Sequence, residues 1–193
     1  MLRVVGGNLA LDFVNTVDGE PAFEHLQDYG GLVAWGGHVG LLSEEAVCRL
    51  VRAAEARPSG ARAAHERALA LRDTLFGIFG AIARGERPPE RNLEVLQREE
   101  CEALDRGRLA PRGEGYEWEW PDGDADSVLW HVVHAAVGLL TSGPLDRVKS
   151  CAGCDWIFVD GSKNRSRRWC TMDVCGTNAK MRRYVARRAA RRG

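Results

Sequence analysis

The sequence predicts a mainly α-helical fold, with a helical N-terminal domain that contains a small β-hairpin and a small cysteine-rich C-terminal domain. Three observations support this prediction. Apolar residues recur every three or four positions through most of the first 144 residues, which is the spacing of one helix face. Gly143-Pro144 then interrupts the pattern, and four of the six cysteines lie beyond it. We therefore place the domains at residues 1–144 and 145–193.

Six helices are predicted in the N-terminal domain from apolar periodicity and from residues that start or end helices. Their expected ranges are residues 8–17, 25–37, 44–57, 60–84, 90–105 and 128–141, with Ser127 as the expected cap of the last helix. The pair Gly36-Gly37 is expected to end the second helix, and Ser43 to cap the third. Pro58 is expected to separate the third and fourth helices, and Gly85 to cap the fourth.

A β-hairpin is predicted just before the last of these helices. Residues 116–120 alternate aromatic and acidic side chains, as on a strand with two different faces. We expect this strand to pair with residues 108–112 across a turn that contains Gly113 and Gly115. The helix expected after Ser127 and up to about Thr141 is apolar almost all round, which is typical of the central helix of a core.

Two groups of polar residues on these helices are candidates for a ligand pocket. Asp12, Asn15 and Thr16 share one side of the first helix. They suit either a ligand or hydrogen bonds to neighbouring backbone, as buried polar residues commonly form. His131 and His134 share a face of the central helix, where they suit a metal, a small-molecule cavity or a hydrogen-bonded core. No HExxH pattern accompanies them, and no third metal ligand is identifiable.

The four C-terminal cysteines have the spacing of a tetrahedral zinc site. Two residues separate Cys151 from Cys154, four separate Cys170 from Cys175, and fifteen lie between the pairs. Disulfides and unrelated buried thiols are the alternatives, and a reducing compartment favours metal. Four thiolates complete the coordination of one Zn²⁺, so the predicted ion is structural. A module of about 40 residues buries too little apolar surface to fold alone, so we expect zinc to be required for its folding.

The net charge of zero conceals an asymmetry between the two predicted domains. Residues 145–193 contain 13 Lys and Arg against four Asp and Glu, a net charge of +9. The totals of 27 and 27 leave 14 basic and 23 acidic residues in positions 1–144, a net charge of −9. Such asymmetry indicates a nucleic-acid partner, or attraction between the two halves within a monomer or across a homodimer.

Nine basic residues form the predicted nucleic-acid surface, on a loop and on a C-terminal helix that starts near Cys175. They are Lys163, Arg165, Arg167, Arg168, Lys180, Arg182, Arg183, Arg187 and Arg188. Met181, Tyr184 and Val185 are expected to form the packing side of that helix. The planar fork of arginine suits phosphates and guanine edges, so we favour DNA over RNA or a protein surface. A hairpin, a cysteine knuckle and a ligand-bearing helix together suggest a treble-clef-like finger.

Residues 149–183 also resemble the CGNR zinc finger. The shared features are the CxxC pair, the segment Phe158-x-Asp160-x-Ser162, the tryptophan before Cys170, and a Cys-Gly pair followed by a basic helix. The tetrapeptide that names that family reads Cys-Gly-Thr-Asn here, so its Asn and Arg are not in place. This departure leaves the zinc ligands unchanged.

The N-terminal stretch GNLALDFVNT, residues 7–16, is similar to the ABATE domain, which accompanies this finger in bacteria. The two resemblances together span most of the chain. They imply a family of stress-linked transcriptional regulators, with one structural zinc ion in the finger.

The leading hypothesis is a bacterial, cytoplasmic, zinc-dependent DNA-binding transcriptional regulator, whose N-terminal domain senses a small molecule or mediates association. The alternatives are a ligand-binding protein or enzyme in which the finger is only structural, and a protein-interaction adaptor. No nucleophile–base motif, phosphate loop or dinucleotide fingerprint is present, which disfavours an enzyme. No apolar run approaches the roughly 18 residues that span a bilayer, so we expect no membrane partner.

Overall fold

A computed structural model describes residues 2–18 and 23–191 of the chain. Seven α-helices lie in these ranges: α1 Leu9–Val14, α2 Tyr29–His38, α3 Glu44–Ala56, α4 Pro58–Ala83, α5 Glu90–Arg106, α6 Ser127–Ser142 and α7 Thr177–Ala190. Three antiparallel strand pairs accompany them: β1 Val17–Asp18 with β2 Phe23–Glu24, β3 Arg108–Arg112 with β4 Gly115–Glu119, and β5 Val148–Ser150 with β6 Ile157–Val159. The predicted, mainly helical fold class is confirmed. The terminal positions of the predicted domain ranges, residues 1 and 192–193, lie outside the described residues.

Helix α6 lies in the main core, in contact with α1, α2 and α5. Its residues Val128, Val132 and Val133 are at most 1% exposed. Phe13 of α1 and Leu32 of α2 are fully buried in the same cluster. Burial of each such side chain contributes roughly 1.5–3 kcal/mol, so this cluster is the main source of stability for the N-terminal helices.

The glycine pair predicted to end α2 lies inside the helix, so that prediction is wrong. A Cβ atom on Gly36 would lie 2.8 Å from Cγ2 of Val128. The glycine therefore allows α2 to pack closely against α6. The chain turns after the helix at Gly40, whose φ of +79° lies in the left-handed region that favours glycine.

The elements that follow agree more closely with the sequence. Pro58 lies between α3 and α4 as expected, and it is also the first residue of α4. The fixed φ of proline suits this first helical position. Gly85, with a φ of +74°, follows the end of α4 as predicted. The hairpin of β3 and β4 forms with the expected strands, and Ala110 lies opposite Glu117.

We call residues 145–191 the C-terminal module. Its hairpin, β5 and β6, is followed by a loop, a π-helical turn at Met172–Gly176 and helix α7. Successive residues of a strand face opposite sides. Accordingly, Ile157 of β6 is buried in the main core, while the next residue, Phe158, is buried among the cysteines. The module therefore shares its second strand with the core of the N-terminal helices.

Helix α7 extends from the module without burying any side chain. Met181, Tyr184 and Val185 are 57%, 58% and 61% exposed, so the prediction that they pack against the module is wrong. Their spacing matches an amphipathic helix, but no residue of α7 is buried. None of the described helices has both the length and the apolar content that crossing a bilayer requires.

Candidate metal centre

Two segments of the C-terminal module bring four cysteines to one point. Cys151 directly follows β5, and Cys154 lies in the turn of the β5–β6 hairpin. Cys170 lies at the end of the long loop, and Cys175 lies in the π-helical turn that leads into α7. A Cβ atom on Gly153 would lie 3.0 Å from Cβ of Cys175, so glycine allows the hairpin turn to approach the second pair closely.

The distances between the four sulfurs fit a tetrahedral zinc ion. All four Sγ atoms lie within 4.8 Å of one another, and none of the cysteines forms a disulfide. The Sγ of Cys154 is 3.7 Å from that of Cys170 and 3.7 Å from that of Cys175, and Cys170 and Cys175 are 3.5 Å apart. A tetrahedron with Zn–S bonds of about 2.3 Å has edges of about 3.8 Å. Four protein ligands fill such a site, which makes the ion structural.

The ionisation of these thiols also favours a cation. Hydrogen bonds from Cys154 and Cys170 hold the pKa of Cys151 well below its usual range. The sulfur of Cys151 in turn raises the pKa of Cys154, and it raises the pKa of Cys170 to about 12. The neighbouring sulfurs therefore oppose the ionisation of one another. Ionising all four thiols requires a divalent ion to neutralise their mutual repulsion.

Two backbone donors point at the sulfur of Cys151. The N–H groups of Gly153 and Cys170 point at Sγ of Cys151, at 3.4 and 3.2 Å. Hydrogen bonds to a charged form stabilise it. The hairpin turn and the loop therefore each contribute one backbone N–H that stabilises negative charge on Cys151.

Asp160 organises the loop between the two cysteine pairs. Its fully buried carboxylate accepts hydrogen bonds from Nζ of Lys149 at 2.6 Å, from the hydroxyl of Ser162 at 2.6 Å and from the N–H of Arg167 at 3.1 Å. The bond from Lys149 contributes most to holding the pKa of Asp160 well below its usual range. Sequence reasoning missed this role, although the Phe-x-Asp-x-Ser spacing was its signal.

Arg167, one of the predicted nucleic-acid contacts, is turned inward. Its guanidinium carbon lies 4.0 Å from the ring centroid of Phe158. Its Nη2 donates to the carbonyl of Val5 at 2.8 Å and to that of Cys170 at 2.7 Å. The side chain therefore joins the N-terminal segment to the loop between the two cysteine pairs. Its guanidinium is committed to these contacts within the protein and is not presented to a nucleic acid.

The other loop cations are accessible. Lys163 and Arg168 are exposed, and the guanidinium of Arg168 lies 5.3 Å from the ring of Trp169. Arg165 is paired at 2.5 Å with Asp146, and both side chains are more than half exposed. The loop therefore keeps three of its four predicted cations at the surface.

All five predicted cations of α7 are exposed, and none has an acidic partner among the described residues. They are Lys180, Arg182, Arg183, Arg187 and Arg188. Because α7 continues directly from the turn that holds Cys175, the metal centre fixes the point from which these cations project.

The predicted pocket residues on α1 bind the protein's own backbone. Oδ1 of Asp12 accepts the N–H groups of Val5 and Gly6 at 2.8 and 2.7 Å. Burial raises the pKa of Asp12 in spite of these bonds. Asn15 accepts the N–H of Ile157 at 2.9 Å and donates to its carbonyl at 2.8 Å. Asp12 and Asn15 therefore both follow the second of the two interpretations, hydrogen bonding to backbone, and not the first, a ligand contact.

Thr16 belongs to a buried ion-pair network that sequence reasoning missed. Its hydroxyl donates to the carbonyl of Phe13 at 2.7 Å and accepts from Arg72 at 3.0 Å. The guanidinium of Arg72, on α4, is 8% exposed and is paired at 2.5 Å with Glu24. The sequence signal was a single arginine within the apolar face of a long helix.

His131 and His134 lie in a different environment from the α1 residues. Nδ1 of His134 is 2.8 Å from Oε1 of Glu100. The ring of His131 lies edge-on to Trp120, with 4.7 Å between centroids. Burial, and then the nearby His134, lower the pKa of His131. His131 lines one cavity and Asn15 another, so the structure does not bring the five predicted pocket residues into one site.

Comparisons with known proteins agree with this geometry. The family model ABATE, described as "Putative stress-induced transcription regulator", matches residues 7–143. The model of the CGNR zinc finger matches residues 147–188, which include all four clustered cysteines. A search of curated proteins found no match. The site at Cys151, Cys154, Cys170 and Cys175 is thus a single structural zinc site, and the chain belongs to the ABATE family and carries a CGNR zinc finger.

Proposed function

We propose that this protein is a zinc-dependent DNA-binding transcriptional regulator whose C-terminal module contacts DNA. One observation carries the proposal: α7 presents five exposed cations without an acidic partner among the described residues. Lys180, Arg183 and Arg187 follow one another at spacings of three and four, which keeps them on one side of the helix. A projecting helix with such a face suits the phosphates of a duplex.

The type of cation supports a nucleic-acid partner. Arginine outnumbers lysine on α7, and its guanidinium forms paired hydrogen bonds with phosphates and with guanine edges. Lys163 and Arg168 add exposed positive charge from the loop between the two cysteine pairs. Neutralising phosphates releases bound counterions, so the affinity should fall steeply with salt.

The way α7 is attached supports the proposed zinc dependence. The helix begins at Thr177, two residues after the zinc ligand Cys175. Because no side chain of α7 is buried, its direction depends on the π-helical turn before it. Loss of the ion would release that turn, and the cationic face would lose its fixed position.

We further propose that the N-terminal helices sense a small molecule or mediate association, for example as a homodimer. The family description supports a regulatory role for this part of the chain. A bacterial cytoplasm is the proposed location, because reducing conditions keep thiols available for zinc. Sedimentation velocity of the zinc-loaded chain would test the homodimer, and a single monomer boundary at micromolar concentration would contradict it.

The test of DNA binding is a fluorescence anisotropy titration of a labelled random-sequence duplex with the full-length, zinc-loaded protein at several salt concentrations. The triple variant Lys180→Gln, Arg183→Gln, Arg187→Gln should bind more weakly, with a salt slope smaller by about three. The control replaces three exposed arginines of the N-terminal helices with glutamine: Arg52, Arg62 and Arg91. The control should bind like the unchanged protein. Absence of affinity at low salt would reject the proposal.

A further inference from the structure

We propose that the cleft between the β3–β4 hairpin and α6 binds a small planar aromatic molecule that carries one negative charge. This tryptophan cleft has a volume of about 760 Å³ and is lined by Trp118, Trp120, His131 and Arg106, among others. Pockets for small molecules have volumes of roughly 300–1,000 Å³. The inference names a ligand class for the sensing role, and only its regulatory consequence rests on the proposed function.

The aromatic wall of the cleft is held in place before any ligand binds. The rings of Trp118 and Trp120 are inclined by 25°, with 6.3 Å between centroids. Nε1 of Trp120 donates to the carbonyl of Ala103 at 2.6 Å. A Cβ atom on Gly107 would lie 2.9 Å from each indole, so glycine allows both rings to lie over the backbone there. Fixed indoles offer a flat apolar surface at little cost in side-chain entropy.

His131 supplies an uncommitted polar group in the same cleft. Its imidazole contacts the edge of Trp120, and neither ring nitrogen forms a hydrogen bond with the described residues. The neighbouring His134 differs, because its Nδ1 is committed to Glu100 at 2.8 Å. Burial, and then the nearby His134, lower the pKa of His131, which favours the neutral ring. A neutral imidazole can donate one hydrogen bond and accept another from a bound molecule.

One of the arginines that line the cleft, Arg106, has no acidic partner among the described residues. Each acidic side chain there has an arginine partner. These pairs are Glu119 with Arg108 at 2.8 Å, Glu117 with Arg112 at 3.4 Å, and Asp122 with Arg49 at 2.8 Å. Arg106, the last residue of α5, is exposed and has no acidic partner in the described part of the chain.

These features together select the ligand class. An aromatic ring can lie against the indoles, and a carboxylate can form paired hydrogen bonds with the guanidinium of Arg106. A neutral aromatic molecule would lack the charge-assisted hydrogen bonds to Arg106. An aliphatic acid would make poorer contact with the flat indole surface. An aromatic carboxylate satisfies both parts of the cleft.

Isothermal titration calorimetry of the full-length, zinc-loaded protein tests the inference with three probes. We expect saturable binding of one 2-naphthoate per chain. The neutral 2-naphthamide and the non-aromatic cyclohexanecarboxylate should each bind more weakly by on the order of tenfold. Absence of saturable binding of 2-naphthoate, or equal affinity for all three probes, would overturn the inference.

Two variants locate the site. Arg106→Gln should weaken 2-naphthoate by roughly fivefold to tenfold and leave 2-naphthamide unchanged, because the residue contributes only charge and hydrogen bonds. Arg98→Gln is the matched control, since Arg98 is also exposed on α5 without an acidic partner among the described residues. Trp118→Leu should weaken both aromatic probes, with the fold checked by circular dichroism. Unchanged affinity for 2-naphthoate in Arg106→Gln and Trp118→Leu would contradict this site.

The calorimetric test requires no DNA. A failure of the anisotropy titration would therefore reject the DNA-binding proposal and leave the tryptophan cleft in place. A failure of the calorimetry would remove the cleft and leave DNA binding by the C-terminal module untouched.

Discussion

The side chain of Asn15 and the backbone of Ile157 form a pair of hydrogen bonds, with N–H to Oδ1 at 2.9 Å and Nδ2 to carbonyl oxygen at 2.8 Å. The amide thus acts like a neighbouring strand for one residue of β6. Both residues are at most 1% exposed. These two bonds connect the end of α1 to the hairpin that carries the first two zinc ligands.

Replacing Asn15 with Ala should lower the free energy of unfolding by about 2–4 kcal/mol, because it leaves a buried N–H and a buried carbonyl of Ile157 without partners. Urea denaturation followed by tryptophan fluorescence measures the change. The control is Asn164→Ala, whose side chain is exposed and should matter little. A change for Asn15→Ala within about 0.5 kcal/mol of the control would contradict this role.

Removing zinc should unfold the C-terminal module and also destabilise the N-terminal helices, because Ile157 and Val148 belong to the main core. Cys175→Ser should lower the zinc content below one ion per chain and reduce the helical circular dichroism signal. The controls are Cys48→Ser and Cys101→Ser, two exposed free cysteines. Mass spectrometry of metal content checks the stoichiometry. Full zinc content in Cys175→Ser would contradict the assigned ligand set.

Replacing Glu24 with Gln should destabilise the protein at neutral pH by roughly 2–3 kcal/mol, because it leaves the buried guanidinium of Arg72 without its ion pair. The cost is smaller than for a fully buried pair, since the Glu24 side chain is 34% exposed. Urea denaturation of both proteins measures it. Glu94→Gln, an exposed position on α5 without an ion pair among the described residues, is the control.

The same pair should show a defined pH dependence. Burial alone would raise the pKa of Glu24, but hydrogen bonds from Arg72 and from the N–H of Leu26 outweigh it, so the pKa is lowered. Because the pKa of Glu24 is lower in the folded protein, the ion pair contributes its full stability above the unfolded-state pKa of about 4.3. This contribution is lost as the pH falls through the folded-state pKa. The stability difference between the unchanged protein and Glu24→Gln should therefore shrink below about pH 4. A difference that grows on acidification would contradict the pairing.

Replacing Arg167 with Lys should destabilise the C-terminal module by about 2–3 kcal/mol although the charge is kept. An ammonium group cannot stack on Phe158 and bond the carbonyls of Val5 and Cys170 together as the guanidinium does. Arg168→Lys is the matched control at the exposed neighbouring position. Thermal unfolding and zinc content measure both variants. Equal stability of the two would show that the inward contacts of Arg167 contribute little.

The zinc ligands, the long helices and the β3–β4 hairpin were predictable because their signals are local. Cysteine spacing fixes which sulfurs can share one ion, and apolar periodicity with glycine and proline fixes α4 and the hairpin. The end of α2 was harder to predict from the sequence. Gly36 serves the approach of α2 to Val128, and such a contact between distant segments overrides the usual meaning of a glycine pair.

The orientation of single charged residues was not predictable in the same way. Arg167 follows the pattern of its exposed neighbours, yet it bonds the carbonyl of Val5, 162 positions away. Asn15 reaches Ile157 across 142 positions. Sequence alone identified Asn15 as notable, but only the folded chain distinguishes a ligand contact from a structural one.

Strand β6 limits how these two family segments can be recombined. Its consecutive residues Ile157 and Phe158 serve opposite packing faces, one toward the helices and one toward the zinc ligands. A chimera that grafts a foreign finger onto these helices must supply two adjacent apolar side chains of suitable size. It must also present a free peptide unit opposite Asn15. Exchange between relatives should therefore succeed only when the graft carries this matching surface with it.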